Sequence, residues 1–226
     1  MRVGWIVLTD GRQQYIKESI PTWVKYIDNQ VNRKIILDDS GDDDYRSWLS
    51  EYFPSFNIIP VGKERQGYDK AMQKIFSLVK DYNIDYCLHT EDDFILHKAF
   101  FIQDLMYVLA QNKRVAQMSL MRQPWYHNEH ENGGVIEAIK AHTPSAKFME
   151  KNTNDILWTE HSAYWTCNPN IFPKWLTNFK WPDGAWSESR FSKEIFKTGR
   201  TAGIFGAQKD WPYVEHIGRE RYGNQY

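Results

Sequence analysis

Tyr86-Cys87-Leu88-His89-Thr90-Glu91-Asp92-Asp93 decides how this chain folds, because an apolar run turns within a few residues into three adjacent carboxylates. Neighbouring acids repel one another, so a fold that keeps them together needs a positive charge among them. At the C-terminal end of a buried strand, a divalent cation carrying a phosphorylated ligand meets that need. The bland alternative is an acidic turn solvated by water. The rest of the chain separates the two.

Upstream, Val3 to Leu8 is a continuous apolar run, the mark of a strand covered on both faces, and it ends in Thr9-Asp10-Gly11-Arg12. A helix is expected from Tyr15 to Ile27, broken or restarted at Pro21. Ile35-Ile36-Leu37 is a second strand running into Asp38-Asp39-Ser40-Gly41. Asp44 to Phe53 reads as a helix, Ile58 to Val61 as a strand and Tyr68 to Tyr82 as an amphipathic helix. Downstream of the acids, Lys98 to Gln111 reads as a helix and Val115 to Leu120 as a strand. This alternation predicts an α/β sandwich with a largely parallel sheet. Residues 122–155 read as long loops with room for a short hairpin. Trp158 to Cys167 reads as extended and Asn170 to Phe179 as a short helix. Trp186 to Lys197 reads as a helix stopped by Gly199, and Thr201 to Phe205 as a last strand.

At 226 residues the chain is expected to form one domain, residues 1–226, with a net charge of -1 that advertises no polyanion-binding surface. Cys87 lies inside the apolar run and reads as a buried thiol. No signal-peptide pattern opens the sequence and no apolar stretch reaches the ~18 residues of a membrane span, so a soluble, cytoplasmic protein is expected. The 10 tryptophans are an excess for this length. Trp165, Trp181 and Trp186 are candidates for stacking on sugar rings.

Three apolar strands thus end in polar tips: Thr9-Asp10, Asp38-Asp39 and Glu91-Asp92-Asp93. In an open α/β sheet such tips share the crevice where ligands bind. Carboxylates suit Mg²⁺ or Mn²⁺ rather than zinc, and such metals keep positions open for substrate phosphates. The chain has neither a P-loop pattern nor the Gly-x-Gly-x-x-Gly turn of a dinucleotide-binding fold.

The ordered set of motifs resembles the GT-A fold glycosyltransferases, closest to the family-2-type enzymes. It consists of Thr9-Asp10-Gly11-Arg12, Asp38-Asp39-Ser40, Gly67-Tyr68-Asp69-Lys70-Ala71, Leu88 to Phe94, Trp165-Thr166-Cys167-Asn168-Pro169, Glu188 with Phe191 and Ser192, and Val214-Glu215-His216-Ile217-Gly218. The resemblance implies a Rossmann-like α/β/α sandwich with a nucleotide-sugar-binding half, residues 1–120. An acceptor-binding half with the tail follows, residues 121–226. It also implies metal-dependent transfer of a sugar from a nucleotide-diphosphate sugar, first a UDP-sugar, to an acceptor hydroxyl with inversion. Asp38 or Asp39 would contact the base, with Thr9, Asp10, Gly11, Arg12, Gly67 and Lys70 around the donor and Asp92 on the ribose. Asp93 would ligate Mn²⁺ or Mg²⁺, with Glu91 in the first acid position of the D-x-D element and His216 approaching from the tail. Glu188 would be the general base, with Glu160 and Asp183 as rivals. Arg219 and Arg221 are candidates for the diphosphate. The chain departs from the family pattern in having Glu at position 91 and Glu188-Ser189 in place of a paired acid.

Two other classes stand beside this one. A nucleotidyltransferase also uses acids and Mg²⁺ at strand ends, but Gly11-Arg12 is a short substitute for its Gly-rich phosphate loop. A non-catalytic carbohydrate-binding module would use the aromatic residues and leave the acidic tips unexplained. The acceptor stays open: a glycan, a protein, a small molecule or a modified nucleic-acid base.

Overall fold

A computed structural model describes residues 1–218. In chain order the elements are β1 (Val3–Thr9), α1 (Gln13–Ile27), β2 (Arg33–Asp38), α2 (Asp43–Tyr52), β3 (Asn57–Pro60), α3 (Tyr68–Asp81) and β4 (Tyr86–Glu91). There follow β5 (Phe94–Leu96), α4 (Ile102–Gln111), β6 (Val115–Ser119), α5 (His127–Asn132), α6 (Val135–His142), β7 (Phe148–Thr153) and β8 (Ile156–His161). The chain then runs through β9 (Asn170–Pro173), α7 (Ser187–Lys197), β10 (Thr201–Phe205) and β11 (Val214–His216).

Nine strands form one sheet in the order β3-β2-β1-β4-β9-β6-β10-β8-β7, and β11 pairs with β5 in a small second sheet. The pairings leave seven of the nine strands pointing one way, with β8 and β9 reversed. All seven residues of β1 are buried, because alternate side chains feed two cores. Trp5 and Val7 pack with α1 and α4 on one face. Ile6 and Leu8 pack with α3 and α7 on the other. A strand covered on both faces must be apolar throughout, which is why β1 and β2 read so plainly.

Several expectations are corrected. Pro21 does not interrupt α1, which runs unbroken from Gln13 to Ile27. Pro21 and Lys17, four residues before it, are both exposed, so the carbonyl that loses its N–H partner can be hydrated. Residues 122–155 are not loops throughout but carry α5, α6 and β7. The hairpin there joins β7 to β8 through Asn154 and Asp155, both at positive φ (52° and 66°), as a two-residue turn requires. Asn170–Pro173 is a strand, and only Lys174–Asn178 makes a turn of 3₁₀ helix. Its four residues are buried between β4 and β6, and sheet pairing on both edges wins over helix propensity. Trp165 and Trp181 lie in the core beside Phe191, not on a cleft, whereas Trp186 is exposed. Cys87 is a buried free thiol as expected, and so is Cys167. No helix among the described residues is long and apolar enough to cross a membrane.

His89 in β4 is wholly buried, and neither ring nitrogen has a hydrogen-bond partner among the described residues. Burial pushes its pKa down from 6.5 to about 4. The unfolded chain therefore binds the extra proton between these values and the folded chain does not, so the His89 contribution is intact at pH 7 and is lost as pH falls. At pH 5 that loss is about 2 kcal/mol. Denaturant unfolding should show His89→Leu losing about that much less stability than the wild type between pH 7 and pH 5. Equal losses would mean that the ring is not held neutral.

Candidate active site

The register brings the three acidic tips to one edge: Thr9 pairs with Asp38 and Leu8 with Glu91, so β1, β2 and β4 end together. Two bonds cross between the tips, Asp39 N to Thr9 O at 2.9 Å and Asp92 N to Leu8 O at 3.0 Å. From the next layer, α1 fixes the turn after the acids. Ser19 Oγ and Trp23 Nε1 both donate to Phe94 O at 2.7 Å.

Arg12 supplies the positive charge among the acids. Its Nη1 donates to Asp93 Oδ2 at 2.6 Å, its Nη2 to Asp92 Oδ1, and its Nε lies 2.8 Å from Asp10 Oδ1. Gly11, at φ +95°, makes the tight reversal that brings Arg12 back over the strand ends. Burial opposes the Arg12 charge, but Asp92, Asp93 and Asp10 outweigh it and hold the guanidinium protonated. Thr9 Oγ1 donates to the other oxygen of Asp92 at 2.7 Å and exchanges a 2.8 Å bond with Tyr45 Oη. Asp92 is pushed up to about 7 by burial, against the pull of Arg12. Burial also opposes ionisation of Asp93, yet His216 and Arg12 bring its carboxyl below the usual range.

The other expected donor residues fall into separate groups. Asp38 accepts from Ser40 N, Ser40 Oγ and Arg46 Nη1 at 2.9, 3.0 and 3.0 Å. Asp39 accepts from Gln66 N and Gly67 N, both at 2.8 Å, and so ties the β2 tip to the start of α3. Lys70 turns away from the acids and pairs with Asp183. Glu91 does not join Asp93 and His216. Strand alternation puts Glu91 on the α3 and α7 face with Cys87, and its carboxyl is held well above the usual range by burial and then by Asp93. Among the described residues no three His, Cys, Asp or Glu side chains form a ready-made metal cage. Arg219 and Arg221 lie outside the described residues.

Asp93 and His216 do come together. His216 Nε2 lies 3.3 Å from Asp93 Oδ2, and Asp93 Oδ1 is buried with no partner among the described residues. A Cβ on Gly218 would stand 2.5 Å from Asp93 Oδ2 and 3.0 Å from His216 Nε2, so the absence of a side chain there keeps this space clear. A carboxylate and an imidazole suit Mn²⁺ or a similar ion, with the remaining positions left to ligand oxygens. The residues fit such an ion as an open site.

Glu188 stands in the first turn of α7, half-buried, and its Oε1 accepts from Cys167 N at 2.8 Å. Burial pushes its carboxyl up to about 7 despite that bond. Its rivals are committed elsewhere. Asp183 accepts from Lys70 and Gln73 and is pulled far down by them. Glu160 grips Arg114 through two 2.7 Å bonds and accepts from Thr201, at the opposite, N-terminal end of β6 and β10. Tyr45, Arg46 and Arg65, which donates to Asp10 at 2.6 Å, are site residues that carry no motif signal. Their roles arise only when α2 and the loop before α3 fold over the strand tips.

No protein-family model matches the chain, and no curated protein matches it in sequence. Solved structures do match in fold. Residues 1–349 of S. aureus TarS in complex with UDP-GlcNAc superpose with a TM-score of 0.63 at 13% identity, over 100% of this chain and 60% of that one. The mannosyltransferase PcManGT from Pyrobaculum calidifontis, in complex with GDP-Man and Mn²⁺, gives a TM-score of 0.63 at 14% identity, over 98% of this chain and 58% of that one. The chain therefore spans about 60% of the length of these structures. Its architecture is the GT-A fold, the fold of these nucleotide-sugar-binding proteins.

Proposed function

We propose that the protein is a glycosyltransferase that moves a sugar from a nucleotide-diphosphate sugar, first a UDP-sugar, to an acceptor hydroxyl with inversion. One juxtaposition carries the reading. Asp93 and His216, with no side chain at Gly218 crowding them, lie at the same sheet edge as Glu188, whose carboxyl burial pushes up to about 7. The fold match to a TarS complex with UDP-GlcNAc and a PcManGT complex with GDP-Man and Mn²⁺ supports it.

Asp93 and His216 would hold Mn²⁺ or Mg²⁺, which would neutralise charge on the leaving diphosphate. Arg12, already charged and placed beside Asp92 and Asp93, adds a fixed positive charge at the same edge. Thr9 and Tyr45 hold Asp92 for the ribose. Glu188 takes the proton from the acceptor hydroxyl as that oxygen attacks the anomeric carbon from the face opposite the diphosphate. A base titrating near neutrality suits this step, because it is ionised at working pH and still basic enough to accept the proton.

With Mn²⁺ and a panel of nucleotide-sugars, the protein should release nucleoside diphosphate. Asp93→Asn should abolish turnover and weaken metal-dependent donor binding. No release with any donor, together with no nucleotide binding, would overturn the reading. Pyrophosphate release from a nucleoside triphosphate would replace it with nucleotidyl transfer. Because only the ionised Glu188 is a base, kcat/KM should rise with pH and level off above about 7. Glu188→Gln should lower kcat by about 10²- to 10⁴-fold with KM for the donor little changed, and should reduce that rise to the part set by Asp92, which is also pushed up to about 7. An unchanged pH profile in the variant would assign the base elsewhere.

A further inference from the structure

The segment that leaves β6 reaches back to the tail and sets His216. Arg122 bridges Val214 in parallel, and Tyr213 N and Val214 N donate to Met121 O at 2.9 and 3.3 Å. Pro124 has no N–H with which to carry this ladder onward. Gln123 completes it with its side chain instead. Its Nε2 donates to His216 O at 3.1 Å and its Oε1 accepts from His216 N at 2.9 Å. On its other edge His216 pairs with Phe94. The His216 backbone is thus held from both sides.

The ring is held as well. Trp125 meets the imidazole edge to face, with centroids 4.2 Å apart at 82°, and Phe94 lies 4.7 Å away at 41°. Trp125 is fixed in turn by Glu129, whose Oε2 accepts from Trp125 N at 2.8 Å and Tyr126 N at 3.1 Å. Arg122 grips both oxygens of Glu129 at 2.7 Å, and both side chains of this pair are buried. A buried ion pair with its hydrogen bonds satisfied is weak as a source of stability, but it tolerates few alternative geometries.

We propose that Gln123 and Trp125 are positioning residues that set the His216 imidazole for the donor diphosphate and its metal, with the Arg122–Glu129 pair as their frame. This rests on His216 being a donor-site group, as in the function proposed above. The segment from Arg122 to Glu129, which falls in the half expected to bind the acceptor, serves the donor side.

The test uses Mn²⁺ and UDP as probes on the full chain. In the wild type, Mn²⁺ with UDP should selectively broaden the NMR signals of the His216 ring, and calorimetry should give a Mn²⁺-dependent UDP affinity. Gln123→Leu and Trp125→Leu should each weaken that affinity about tenfold and reduce the broadening, while UDP binding in the presence of chelator stays unchanged. Trp125→Phe should restore most of the affinity. Gln123→Glu keeps the accepting oxygen and the size, so it should fall between wild type and Leu, and it serves if the Leu variant does not fold. In a His216→Ala background the Gln123→Leu change should add no further loss. If His216→Ala weakens binding but the Gln123 and Trp125 variants do not, the positioning role is overturned and the donor site stands. If His216→Ala has no effect either, both fall.

Discussion

Arg12 is the charge on which this sheet edge depends. Asp92 and Asp93 are all but wholly buried at the strand ends, and taking each carboxylate out of water costs several kcal/mol. A charge pair at 4 Å returns about 4 kcal/mol at an effective dielectric of 20. One guanidinium facing Asp10, Asp92 and Asp93 therefore offsets much of the cost but leaves a surplus of negative charge. Asp92 is pushed up to about 7, chiefly by burial and then by Asp93, even with Arg12 against it. Arg12 also stands at the N-terminus of α1, so the positive end of that helix faces the same acids.

The pleat of β4 then divides the triplet. β4 ends at Glu91, whose side chain follows the strand alternation, while Asp92 and Asp93 lie in the turn that follows and share Arg12. Asp92 turns to Thr9 and Arg12 on the α1 side. Glu91 turns to the α3 and α7 side, where Asp93 and Glu188 both help to hold its proton. Asp93, the second residue past the strand, meets His216 and Arg12. A run that reads as one acidic motif in sequence thus supplies three different environments.

The legible part of this chain is the part where local pattern and burial agree. β1, β2, α3 and β6 are covered on both faces or along one clean stripe, so their apolar runs mark them directly. The convergence of Asp10, Asp38, Asp39 and Asp93 follows from parallel strands that end together, and it could be inferred from the order of elements. β9 could not, because Asn170-Ile171-Phe172-Pro173 is a strand only by virtue of β4 and β6 on either side. The Lys70 contact is illegible for a related reason. Its partner Asp183 is more than a hundred residues away, and an exposed helix lysine carries no sign of that contact. The Gln123 clamp has no sequence pattern at all, since a side chain there performs the work of a backbone that Pro124 interrupts.

Glu188 shows which of two opposing effects governs the chemistry of this edge. It lies in the first turn of α7, where the helix dipole favours a carboxylate by about 0.3–1 kcal/mol, and it accepts the Cys167 N–H. Both effects lower its pKa. Burial raises it, and the outcome is about 7 rather than 4.5, which corresponds to roughly 3 kcal/mol in favour of the proton. Desolvation therefore wins over the hydrogen bond. Trp186 precedes this turn in the left-handed region at φ 58°, an uncommon conformation for a bulky exposed residue, and the loop around it is fastened by Asp69 to Gly184 N at 2.7 Å. The strain lies beside an acid that has no ion-pair partner among the described residues. A proposed base needs that combination: an anchor that orients the carboxyl, and no opposite charge to make it a poor proton acceptor.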